Sequence, residues 1–124
     1  MNDFQEKTVL VTGASGGIGS LVAEKLAQSG AEILLLGRDQ RALEKVQAGI
    51  VNSGGKAQVI AADLLQPADR QRVVDACSVL SNGLYGLINN AGMNRFAWLE
   101  DQAEEVLQAQ IHLNLVAPIL LTRA

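Results

Sequence analysis

Four short apolar runs, separated by stretches of helix length, constrain this chain more than any other feature. Residues 8–11, 33–36, 59–62 and 84–88 are mostly apolar. Unbroken apolarity over so few residues suits strands covered on both faces, as in a parallel sheet. The stretches between them read as helices. Ile18, Leu21, Val22, Lys25, Leu26 and Ser29 recur at helical spacing, and Gly30 follows as a stop. Asp39 is placed to cap a helix over residues 40–51, which ends near Asn52-Ser53-Gly54-Gly55. Pro67 opens a third helix with Val73, Val74, Cys77 and Leu80 on its apolar face. Residues 99–122 read as helical with an interruption near Asn114 and Pro118, where proline removes one helical hydrogen bond. The order βαβαβαβ followed by helix predicts right-handed crossovers and an α/β fold, a Rossmann-like doubly wound parallel sheet.

The 124 residues are one domain's worth of chain, with no repeat, linker or second domain. At 48% hydrophobic and 19% charged residues the composition excludes intrinsic disorder. A net charge of −3 leaves no basic excess for nucleic acid or an anionic membrane. Cys77 is alone, so neither an internal disulfide nor a cysteine-built metal site is expected. The first seven residues are polar and acidic, unlike a signal peptide. No apolar run approaches the roughly 18 residues of a membrane span. A soluble protein of the reducing cytoplasm is expected.

The first strand runs into Thr12-Gly13-Ala14-Ser15-Gly16-Gly17-Ile18-Gly19, which opens the first helix. Gly13 permits a sharp turn, Gly17 clears the backbone for a pyrophosphate, and Gly19 allows close packing of helix on strand. The helix N-terminus then offers free N–H groups and a positive dipole end to phosphates. A mononucleotide P-loop is excluded, because Gly19 is followed by Ser20-Leu21 rather than Lys and Ser or Thr. Residues 13–17 also fit the G-x-S-x-G nucleophile elbow, but only one strand precedes Ser15 and the single His112 lies in a helical stretch. Ser15 is better placed to donate to a phosphate.

These residues resemble the short-chain dehydrogenase/reductase family. Thr12 to Gly19 is similar to its TGxxxGxG fingerprint, and Asn89-Asn90-Ala91-Gly92 to its NNAG motif. Asp63 and Asn114-Leu115 stand where the family carries its adenine-contacting Asp and its catalytic-helix Asn. The resemblance spans essentially the whole chain. It implies strand order 3-2-1-4, a bound nicotinamide dinucleotide, and hydride transfer to or from a small carbonyl or alcohol substrate. Family members are typically about twice this length, with a Ser and a Tyr-x-x-x-Lys in the second half. Here the sole Tyr85 has Asn89 four residues on, and the last Lys is Lys56. The chain thus resembles the N-terminal, cofactor-binding portion of such an enzyme, truncated before its catalytic portion and inactive alone. A non-catalytic NADP-binding module or sensor is the alternative, and a fragment that binds no nucleotide is a third.

Arg38 follows Gly37 where an NAD-type acid would meet the ribose 2′-hydroxyl. A guanidinium there can clamp a 2′-phosphate, so NADP is expected in preference to NAD. A solvated surface charge is the plainer reading of Arg38. Many NADP-preferring relatives carry a basic residue inside the glycine motif, where this chain has Gly16. Asp39, beside it, reads as the helix cap. The resemblance implies that Gly13, Ser15, Gly17, Ile18 and Gly19 hold the pyrophosphate. It implies that Asp63 and Leu64 contact adenine, although Asp63 could instead cap the helix near Pro67. Asn89 would steady the backbone, while Asn90, Ala91 and Gly92 line the cofactor. Asn114 would bind a water of the proton relay, the one catalytic role expected in this chain. His112 reads as a solvated helix residue, Cys77 as core, and Phe96 and Trp98 as packing or substrate-facing groups. An open fourth-strand edge and an uncovered apolar side of Leu113, Leu115, Val116, Ile119, Leu120 and Leu121 predict a homo-oligomer.

Overall fold

The structure is a computed structural model that describes residues 3–124. Met1 and Asn2, part of the stretch read as unlike a signal peptide, lie outside the described residues. Strands β1 (Thr8–Thr12), β2 (Glu32–Gly37), β3 (Lys56–Ala61) and β4 (Leu84–Ile88) form one sheet in the order β3-β2-β1-β4. All neighbours are parallel, with Val9 opposite Ile33 and Gly37 opposite Ala61. Helices α1 (Gly17–Gln28), α2 (Gln40–Asn52) and α3 (Pro67–Ser78) supply the crossovers. A 3-10 turn (Leu99–Asp101), helix α4 (Glu104–Ile111), a π-helical turn (His112–Val116) and helix α5 (Ala117–Arg123) complete the chain. The fold is the expected Rossmann-like doubly wound α/β sheet, with its four strands in the expected order 3-2-1-4.

Strand periodicity builds two cores. Val9, Val11, Ile33 and Leu35 face one way, onto Ala23, Ala27, Leu43 and Ile50 of α1 and α2. Leu10, Leu34 and Leu36 face the other way, onto Val73, Leu113, Ala117 and Leu121. Burying each of these aliphatic side chains contributes about 1.5–3 kcal/mol. Cys77 packs at the edge of the second core, and burial pushes its thiol pKa up.

Four expectations need correction. The apolar stripe read on α1 is not its buried face. Ile18 and Leu21 are 73% and 59% exposed, whereas Gly19, Ala23 and Ala27 are buried. Small residues face the sheet because the helix packs too closely for large ones. Strand β3 starts at Lys56, before the apolar run, because register with β2 extends pairing through polar Gln58, whose amide donates to Glu32 at 2.8 Å. The last helical stretch starts at residue 99 only as a 3-10 turn, regular α-helix begins at Glu104, and the interruption near Asn114 is a π turn rather than a break. The Ala117 N–H donates to the His112 carbonyl five residues back, one turn before Pro118. Lastly, Leu113 and Leu121 are buried on the sheet, so the uncovered apolar stripe is Ile111, Leu115 and Ile119.

Candidate functional site

All four β-strands end at one rim of the sheet, so the loops that follow them meet there. The connection from β3 to β4 passes to the other side of β1, which opens a crevice between β1 and β4. Thr12 closes the base of that crevice. Its Oγ1 donates to the Ile88 carbonyl and accepts the N–H groups of Asn90 and Ala91, each at 2.9 Å. The Asn90 amide donates to the Gly13 carbonyl at 3.2 Å. The glycine turn and the 89–92 loop are therefore tied together.

Gly13 has φ +62°, a left-handed conformation that admits glycine readily. A Cβ on Gly19 would overlap the Gly13 carbonyl oxygen, so this position requires glycine for close approach. A Cβ on Gly17 would meet no protein atom within 4 Å. Helix α1 starts after Gly16 with no side-chain cap. Gly17, Ile18 and Gly19 occupy its first three positions, whose N–H groups have no acceptor within the helix. Ser15 stands exposed beside them.

At the end of β2, Asp39 caps α2 as expected, its Oδ1 accepting the Ala42 N–H at 3.2 Å. Arg38 is exposed, and the one ion pair among the described residues is Arg72–Asp69. Beyond β3, Asp63 does not cap α3. Gln66 holds the cap position, and Asp63 Oδ1 accepts the Leu65 N–H at 3.0 Å within its own loop. Asp69 in the first turn of α3 reaches back to the Asp63 N–H at 2.7 Å. That hydrogen bond, and secondarily Arg72, hold the Asp69 carboxyl below its ordinary range, against an opposing contribution from burial. The brace is present at neutral pH and is lost as pH falls through that lowered pKa. Arg70 donates to the Leu64 carbonyl at 2.7 Å and lies 3.2 Å from His112 Nε2. His112 is thus half-buried and partnered, not a solvated helix residue.

Asn114 Oδ1 accepts the Met93 N–H and Nδ2 donates to the Met93 carbonyl, both at 2.8 Å. Its side chain therefore fixes the loop after Gly92 and has both polar atoms engaged. Asn89 reaches Thr122 at 3.0 Å, linking the same loop to α5. Phe96 and Trp98 are 94% and 79% exposed.

These loops enclose a cavity of about 510 Å³. Every expected cofactor residue except Gly19 lines it, with Leu36, Gly37 and Ala62 at the strand ends. Gly19 lies buried beneath and Asn114 behind Gly92. A second cavity, of about 620 Å³, opens at the opposite rim beside Glu6, Glu24 and Glu32. It receives the C-terminal ends of α1 and α2, and carboxylates with helix C-termini disfavour a phosphate. The smaller cavity, with its N–H groups and Arg38, fits a dinucleotide. Tyr85 sits at the far rim, where its ring packs edge-on to Phe4 and under the Lys7 ammonium. Sequence reasoning missed Asp69, Arg70 and the hub role of Thr12. Charged residues eight and nine positions past the end of β3 were the available signal.

Residues 7–124 match the short chain dehydrogenase family. An uncharacterized oxidoreductase of Methylorubrum extorquens is 33% identical over all of this chain and 50% of its own length. Human dehydrogenase/reductase SDR family member 4 is 32% identical over 95% of this chain and 43% of its own. The chain spans about half the length of the curated relatives it matches. Among solved structures, a metagenomic short-chain oxidoreductase in complex with NADP superposes with a TM-score of 0.93 at 35% identity, covering 98% of this chain and 55% of that one. A Sphingobium yanoikuyae short-chain dehydrogenase in complex with NADPH gives 0.87 at 36%, covering 94% and 46%. With its glycine turn, strand order and rim cavity all in place, this chain belongs to the short-chain dehydrogenase/reductase family.

Proposed function

We propose that this chain is the NADP-preferring, cofactor-binding portion of an oxidoreductase that moves hydride between nicotinamide and a carbonyl or alcohol carbon. The observation that carries this reading is the uncapped N-terminus of α1 facing the same cavity as Arg38 and the Asp63–Leu64 wall. Two structural neighbours at 35% and 36% identity, described as complexes with NADP and NADPH, support the choice of cofactor. The N–H groups of Gly17, Ile18 and Gly19, with Ser15, would hold the pyrophosphate. Gly13 shapes the turn beneath it, and Arg38 would hold the 2′-phosphate. Asp63 and Leu64 would hold adenine, and Asn90, Ala91 and Gly92 the nicotinamide side. The bound cofactor supplies or accepts the hydride. We assign a relay water to the Asn114 carbonyl, to which Pro118 cannot donate. No Tyr-x-x-x-Lys lies within these residues, so the proton donor belongs to another part of the whole protein. A reducing cytoplasmic compartment accords with the single unpaired Cys77.

Titration with NADPH tests the assignment. Val at position 17 meets no protein atom, so Gly17→Val should fold normally and place its side chain in the phosphate space. Saturable binding by the parent chain, weakened at least about tenfold in the variant, is expected. Equal affinity of the two proteins contradicts the pyrophosphate assignment.

Self-association is expected as well. Ile111, Leu115 and Ile119 form an exposed stripe four residues apart, and β4 pairs only with β1 among the described strands. Open strand edges and apolar stripes recruit a second chain. Sedimentation of residues 1–124 at micromolar concentration should give dimers or larger species, and Leu115→Glu should reduce them. A compact monomer at all concentrations contradicts this.

A further inference from the structure

The adenine side of the cavity depends on a short loop, residues 62–66, in which Ala62 and Leu64 are buried and Leu65 packs against the same core. Besides the backbone bonds from Ala62 N–H to the Gly37 carbonyl and from Gln66 N–H to the Asp63 carbonyl, three side-chain hydrogen bonds fix it. Asp69 accepts the Asp63 N–H, the Asp63 carboxylate folds back on Leu65, and Arg70 donates to the Leu64 carbonyl. The third differs from the others, because the same Arg70 Nη1 also lies 3.2 Å from His112 Nε2. Arginine only donates, so His112 Nε2 is the acceptor in this contact. Two residues further along the same helix, Asn114 grips Met93 at the opposite edge of the cavity. One helical turn thus anchors both walls, and Arg70 is the link on the adenine side.

We propose that Arg70 is a positioning residue for the cofactor, holding the Leu64 carbonyl and His112 together and so setting the adenine wall. This rests on the dinucleotide reading above. The guanidinium supplies two N–H groups from one nitrogen in a fixed plane, a geometry that a lysine ammonium on a flexible stem does not reproduce. Asp69 is the nearest carboxylate on α3, and it is engaged by Asp63 and Arg72, not by Arg70.

The test is calorimetric titration of NADPH and NADH into the parent chain and the Arg70→Lys, His112→Gln and His112→Leu variants, with unliganded melting temperatures. Arg70→Lys should weaken both cofactors by the same factor, about tenfold, because both carry adenine. Its melting temperature should not fall to match. Glutamine can accept from Arg70 and leucine cannot, so His112→Gln should keep most of the affinity and His112→Leu should lose it. Unchanged affinity in Arg70→Lys and His112→Leu would overturn the inference alone. So would losses that track melting temperature with no rescue by glutamine. A parent chain that binds neither cofactor would overturn the dinucleotide reading and the inference with it.

Discussion

Residues 1–124, given saturating NADPH and a panel of ketones and aldehydes, are expected to show no reduction above the uncatalysed rate. Carbonyl reduction needs a proton donor within hydrogen-bond reach of the substrate oxygen as hydride arrives. The only Tyr, Tyr85, is the second residue of β4 and packs on Phe4 and Lys7. The cavity lies past the other end of that strand, at Asn90. Five residues at roughly 3.3 Å each put the two about 16 Å apart. Loss of a general acid alone costs about 10²–10⁴-fold. His112 does not substitute, because its ring is turned to Arg70 and does not line the cavity. The check is NADPH consumption followed at 340 nm (roughly where reduced nicotinamide absorbs), beside a mock purification. Turnover that Gly17→Val abolishes would mean that a proton donor lies within these residues.

Arg38→Asp is expected to reverse cofactor preference. In the parent chain Asp39 is committed to capping α2, which leaves Arg38 as the charged group of β2's end that faces the cavity. A charge-assisted hydrogen bond to the 2′-phosphate contributes about 1.5–3 kcal/mol, which is roughly 10- to 150-fold in affinity. Replacement by Asp removes that contact, repels the phosphate and offers an acceptor to a ribose hydroxyl. NADPH should therefore bind more tightly than NADH to the parent chain, and NADH more tightly to the variant. Equal affinities in the parent chain would remove the basis for an NADP preference. The contrast with Arg70→Lys is diagnostic, since that change should affect both cofactors alike.

The sheet was legible because strand residues covered on both faces must be apolar throughout, and Ile33–Leu36 have no polar break. The cofactor cavity was legible because its parts follow strand ends at short range, with Gly13, Arg38, Asp63 and Asn90 each one or two positions past a strand. The face of α1 was not. Apolar periodicity favours large side chains, yet Gly19, Ala23 and Ala27 make the close contact and leave Ile18 outside. The role of Asp63 divided for a similar reason. An acid before a proline-started helix reads as a cap, but here it turns onto Leu65 and Asp69 comes back to its N–H. Arg70 and His112 lie 42 positions apart on different helices. Nothing local in a sequence announces such a pair, so His112 read as solvated. The π turn was visible only as an irregularity, since Pro118 signals a missing hydrogen bond without showing how the helix absorbs it.

On the proposed reading, a dinucleotide lies across the rim cavity with its pyrophosphate at the start of α1. Mapping amide chemical shifts during NADPH titration tests it most directly. Saturable shifts are expected at Gly17, Ile18 and Gly19, together with Leu64 and the Asn90–Ala91–Gly92 loop. Shifts confined to the opposite cavity around Glu24 and Lys56, or none up to millimolar NADPH, would contradict it.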